Sequence, residues 1–171
     1  MEVLLERCAG LDVHKETVVV CARLMVGRRV EHVIEQFGTT TSELLRLLDW
    51  LLAQGCRHAA MEATGVYWKP VWHILESQIE LTLANAMEVR NVPGRKSDVS
   101  DAAWLADLLA HGLIRGSFVP PSPIQQLRDL TRTRKQLSRQ VAQATQRIEK
   151  VLEDANIKVT SVITHLLGRS G

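Results

Sequence analysis

The sequence predicts a mixed α/β sheet, in the order β-β-β-α-β-α-β-α, with helices on its faces and a long helical coiled-coil arm after it. Three observations carry this. Short β-branched runs alternate with turns through the first forty residues. Leucines at helical spacing lie between a clear start at Thr40 and a clear stop at Gly55. Residues 124–155 then run without Gly or Pro in a heptad pattern. Strands that alternate with helices after an initial meander pack as a sheet covered by helices.

Each element has a local reason. Cys8-Ala9-Gly10-Leu11-Asp12-Val13 is a short apolar run, and Thr17 to Leu24 is nearly continuous, as a strand covered on both faces would be. Gly27-Arg28-Arg29 supplies a turn, and Val30 to Phe37 is polar enough to lie near an edge. Thr40 and Glu43 fit a capping box, followed by Leu44, Leu47, Leu48, Leu51 and Leu52. Arg57 to Ala63 gives a strand, Thr64-Gly65 a turn, and Tyr67 to Gln78 a helix with Pro70 tolerable in its first turn. Leu81 to Ala84 is a strand. Asn85–Lys96, which contains Pro93-Gly94, reads as a loop. Ser97 is the expected cap of a helix from Asp98 to about His111. The expected division is a sheet domain over 1–114, a Pro-rich linker over 115–123, the long helix over 124–156 and the start of a further region over 157–171.

Length and composition narrow the function classes. At 171 residues the chain is about one domain long, and 46% hydrophobic with 23% charged residues excludes a wholly disordered chain. No stretch approaches the roughly 20 apolar residues that span a bilayer, and acids stand where a secretory signal would carry bases. Cys8, Cys21 and Cys56 form no CxxC pair and read as reduced, partly buried thiols of a cytoplasmic protein. Zinc-cluster, secreted-scaffold and membrane readings are therefore out.

Charge is unevenly placed. Residues 1–114 hold 11 Lys and Arg against 15 Asp and Glu, whereas residues 115–150 hold 8 against 2. An acidic body with a basic arm suits a polyanion partner, while a solvated helix face explains the same charge; charge alone leaves both open. In the arm, Leu127, Leu130, Arg134, Leu137, Val141, Ala144, Ile148 and Val151 occupy heptad positions a and d. With Arg134 the one polar member, this seam needs a partner helix, either in another subunit, as a homo-oligomer, or in chain outside these residues. Arg128, Arg132, Lys135 and Arg139 fall on the opposite face, a basic stripe suited to nucleic-acid phosphates.

The acids offer the chemistry. Asp12 and Glu62 each interrupt an apolar strand, where a carboxylate is costly to desolvate without a cation or donors. Asp98 and Asp101 are three apart at the start of a predicted helix and project from one face. If the first and fourth strands are neighbours and the third helix crosses their ends, four carboxylates meet at one point. Such a cluster makes sense mainly as a site for hard divalent cations, Mg²⁺ or Mn²⁺, of the kind used on phosphodiesters. Each residue also has a plainer reading. Asp12 can bond turn amides near His14 and Lys15, Glu62 can pair with an Arg, and acids at a helix N-terminus are electrostatically favoured anyway.

Other candidates are weaker. The six histidines show no metal-ligand spacing and read as structural or exposed, and the four tryptophans read as core. Arg95 and Lys96 can neutralise phosphates beside the acids. Asp107 reads as a surface ion-pair partner. No phosphate-cradling glycine motif occurs.

Three blocks resemble the DEDD transposases of the insertion sequence 110 family, a group that includes the Piv-type DNA invertases. They are Gly10-Leu11-Asp12-Val13-His14-Lys15, Met61-Glu62-Ala63-Thr64-Gly65-Val66-Tyr67-Trp68 and Gly94-Arg95-Lys96-Ser97-Asp98-Val99-Ser100-Asp101-Ala102. The resemblance covers essentially the whole chain and implies a RuvC-like, ribonuclease-H-type fold over residues 1–114. It assigns the four acids of the signature to Asp12, Glu62, Asp98 and Asp101 as metal ligands. It also implies multimers acting on DNA, in some relatives guided by a structured RNA of their own element. Relatives carry a further C-terminal domain with a serine implicated in strand exchange, and no position here is assigned that serine.

The sequence therefore predicts the N-terminal portion of a metal-dependent DNA transposase. The second expectation is a truncated, non-catalytic nucleic-acid-binding protein that co-assembles with a full-length relative.

Overall fold

A computed structural model describes residues 3–63, 65–91 and 100–158. The chain divides into two compact units, Met1–Val119 and Pro120–Gly171. In the first, β1 (Arg7–Val13), β2 (Thr17–Val26) and β3 (Arg29–Gly38) form an antiparallel meander. Helix α1 (Thr41–Ala53) leads to β4 (His58–Glu62), parallel to β1, and α2 (Trp68–Leu75) leads to β5 (Glu80–Ala84), parallel to β4. The five-stranded mixed sheet has the order β3-β2-β1-β4-β5, which puts β1 at its centre and β3 at an edge, as its polarity predicts. Val26 pairs with Arg29, so Gly27 and Arg28 alone make the hairpin turn between β2 and β3. The positive φ of Gly27, 63°, is the conformation that such a turn needs and that side chains disfavour.

The two faces of the sheet take alternate residues. Leu11, Val18, Val20 and Met61 lie on one face in the main core, against Leu44, Leu47, Leu48 and Leu51 of α1 and Val71 and Leu75 of α2. Helix α1 starts as its sequence predicts: the Glu43 amide donates to Thr40 Oγ1 at 3.4 Å. The reciprocal bond lands elsewhere, on the Gly38 amide, which donates to Glu43 Oε2 at 3.4 Å. Together with Arg46, whose hydrogen bond is the larger cause, it holds the Glu43 carboxyl below its ordinary value.

Two further helices, α3 (Ala86–Asn91) and α4 (Asp101–Ala110), complete the unit. The stretch read as a loop, Asn85–Lys96, thus contains α3. Its start is set by Asn85, whose side-chain oxygen accepts from the Met87 amide at 2.9 Å. Helix α4 begins later than the sequence predicts. Ser100, not Ser97, is its cap, accepting from the Ala103 amide at 3.2 Å. Asp101 is therefore its first residue, and Asp98 lies outside the described residues.

The second unit contains α5 (Ser122–Asp154), 33 residues long and without a buried residue. It begins two residues before the predicted Ile124, with Pro123 in the first turn, where a missing amide costs nothing. Among the described residues no helix is long and apolar enough to cross a membrane.

Candidate active site at the carboxyl ends of two parallel strands

Strand β1 pairs with β4 in the register Ala9↔Ala59, Gly10↔Ala60 and Leu11↔Met61. One step further along this register, Asp12 stands beside Glu62. Both are half-buried, and strand alternation puts them on the face that carries Gly10 and Ala60.

That face belongs to α4. A Cβ on Gly10 would lie 2.0 Å from the Ala102 carbonyl oxygen and 2.5 Å from the Ala106 amide nitrogen, so the helix backbone rests directly on the strand. Glycine stands here for closeness of approach, and the small neighbours Cys8, Cys21 and Ala60 serve the same end. The direction of the helix follows from its partners. Ala102 and Ala103 pack with Val19 and Cys21, whereas Leu109 and Ala110 pack with Cys8 and Ala60. Since Val19 pairs with Asp12, and Cys8 lies near the start of β1, α4 runs opposite to β1. Its N-terminus, carrying Asp101, is directed to the same end of the sheet as Asp12 and Glu62. The positive end of the helix dipole favours negative charge there.

The polar surroundings are specific. Asp12 Oδ2 lies 3.1 Å from Nε2 of the exposed His14. That contact takes the place of the turn-amide bonds that the plainer reading of Asp12 expects, and no spacing rule singles out His14. Among the described residues, no group of three or more His, Cys, Asp and Glu side chains is gathered closely enough to hold a metal ion. Asp12, Glu62 and Asp101 are thus brought to one end of one face, while Asp98, Arg95 and Lys96 lie outside the described residues. Arg128, Arg132, Lys135 and Arg139 are all exposed on α5, in the other unit.

A second cluster lies on the same face. Asp107 of α4 is an ion-pair partner, as the sequence predicts, but its main partner is buried: its Oδ1 accepts from Nε of the buried Arg23 at 2.9 Å and lies 3.2 Å from His32 Nε2. The clue was a lone Arg inside the β-branched run of β2. Burial under α4 pushes the Cys8 and Cys21 thiols up to about 12, with Arg23 opposing the shift at Cys8. All three cysteines are free and buried, and burial likewise raises Cys56 to about 11. These thiols are protonated packing groups at neutral pH.

Comparison with known proteins adds a family. Residues 9–157 match the sequence pattern of the insertion sequence 110 DEDD family, described as a transposase. No curated protein sequence matches the chain significantly. Among solved structures, the chain is similar to T. thermophilus RuvC in complex with Holliday junction substrate, at 12% identity and a TM-score of 0.44, covering 66% of this chain and 100% of that one. It is also similar to an exopolyphosphatase from Cytophaga hutchinsonii, at 16% identity and a TM-score of 0.32, covering 49% of this chain and 36% of that one.

Proposed function

The chain belongs to the insertion sequence 110 family of DEDD transposases, DNA recombinases by class, and from that premise we propose that Asp12, Glu62, Asp98 and Asp101 together hold a divalent cation, Mg²⁺ or Mn²⁺, against a scissile DNA phosphodiester. One observation carries the reading. Helix α4 runs antiparallel over β1, so Asp101 is directed to the end of the sheet where Asp12 and Glu62 occupy adjacent parallel strands. The donor set fits, because carboxylate oxygens are the ligands that hard cations take. When bound, such a cation supplies positive charge to phosphodiester oxygens as negative charge builds on them.

The chain's own residues do the placing. Gly10 admits the α4 backbone and so sets where Asp101 begins. His14 holds one oxygen of Asp12 at 3.1 Å. Arg95 and Lys96, just before the Asp98 and Asp101 pair in sequence, add positive charge for the DNA backbone. The stripe of Arg128, Arg132, Lys135 and Arg139 grips phosphates of DNA, and a structured RNA of the element would compete for it. The apolar seam of α5 pairs copies of the protein as a coiled coil. We read the sheet as RuvC-like, the arrangement that the family resemblance implies, and the three reduced thiols suit action in the cytoplasm.

Titration of Mn²⁺ into the chain tests the site. Calorimetry should show saturable uptake that Asp12→Ala weakens at least tenfold, with the circular dichroism spectrum unchanged. No uptake by the native chain, or equal uptake by the variant, would remove the proposal.

A further inference from the structure

Helix α5 carries an apolar seam that nothing covers among the described residues. Leu127, Leu130, Leu137, Val141, Ile148 and Val151 are all exposed, between 45% and 69%. We infer that the occupant of this seam is a second α5 lying antiparallel, with the two-fold axis level with position 139. The inference deepens the pairing part of the reading above and rests on it.

The seam reads nearly the same in both directions. Reversed about position 139, Leu127 falls opposite Val151, Leu130 opposite Ile148, Arg134 opposite Ala144 and Leu137 opposite Val141. Every layer thus joins one a position to one d position. The single charged seam residue meets the smallest one, so the Arg134 stem can lie over the Ala144 methyl while its guanidinium reaches water. A parallel pair would instead set Arg134 against its own copy, like charge on like charge.

The flanking positions do not oppose this orientation. Gln126, Thr131, Thr133, Ser138, Gln140 and Thr145 are neutral, and Arg128, Arg132, Lys135 and Arg139 lie on the face away from the seam, so Arg134 is the charged group that distinguishes the two orientations.

The full chain tests this by sedimentation equilibrium and by engineered thiols, since the native cysteines are buried. A dimer is expected. The double variant Leu130→Cys with Ile148→Cys should form a covalent dimer on mild oxidation, and Leu130→Cys alone should not, because its two copies would lie roughly 27 Å apart at 1.5 Å per residue. Ala144→Glu should tighten the dimer several-fold by meeting Arg134 of the partner. Efficient cross-linking of Leu130→Cys alone, or a weaker Ala144→Glu dimer, would overturn the orientation while leaving pairing intact. A native chain that sediments as a monomer would overturn the pairing itself.

Discussion

The two faces of the sheet are packed on opposite plans. On the α1 and α2 face, Leu11, Val20 and Met61 meet leucines, and large side chains hold the layers apart. On the α4 face, Gly10, Cys8, Cys21 and Ala60 meet Ala102, Ala103 and Ala106, so backbone lies close to backbone. The first arrangement buries much apolar surface per residue and supplies stability. The second buries less but leaves α4 little room to shift, and α4 carries Asp101. Stability and placement are thus assigned to different faces of one sheet.

The largest expected effect comes from forcing the close face apart. Gly10→Ala puts a methyl 2.0 Å from the Ala102 oxygen, and overpacking against a backbone should cost upwards of about 3 kcal/mol. Leu47→Ala, at a fully buried site on the other face, should cost about 3 kcal/mol through its cavity. Urea unfolding reads both. Mn²⁺ titration separates them: uptake should be lost in Gly10→Ala and kept in Leu47→Ala under conditions where each is folded. Equal loss in the two variants would mean that the faces do not divide the work.

A smaller effect sharpens the same contrast. Asp107→Asn keeps an acceptor for Arg23 but removes the charge, and should destabilise by about 2 kcal/mol in urea unfolding. The mildest is set by pH. The folded thiols of Cys8 and Cys21 lose their protons only near 12, far above the ordinary value of 9.0. The unfolded chain therefore releases these protons first as the medium turns alkaline, and stability should fall from about pH 9 upward. Changing both residues to Ala should flatten that slope, measured as urea midpoints at two alkaline pH values.

The sequence made the fold legible where the signal was local. Thr40, Glu43 and Gly55 bound α1 with groups inside the helix's own ends, and the β-branched run of β2 needed no distant partner. Helix α3 was hidden because Pro93-Gly94 dominated the reading of its segment, although Asn85 offered a cap. Two serines three apart, Ser97 and Ser100, made the start of α4 ambiguous, and with it the spacing of Asp98 and Asp101. Asp12 and Glu62 stood out as acids inside apolar strands. Arg23 with Asp107 did not as a pair: the lone Arg in β2 marks one partner, but 84 residues separate it from the other.

The central strand also sets the order in which the molecule can be assembled. Strand β1 finds β2 across a turn of three residues, Asn-free and short, between Val13 and Thr17. It meets β4 only when Ala9 reaches Ala59, and α4 only when Gly10 reaches Ala102. Chain closure of that span costs more entropy than a hairpin and comes later. During synthesis the meander can therefore form while the acidic end is still incomplete. The end of the sheet where Asp12, Glu62 and Asp101 lie is thus the last part of the fold to be completed, once α4 has closed on β1.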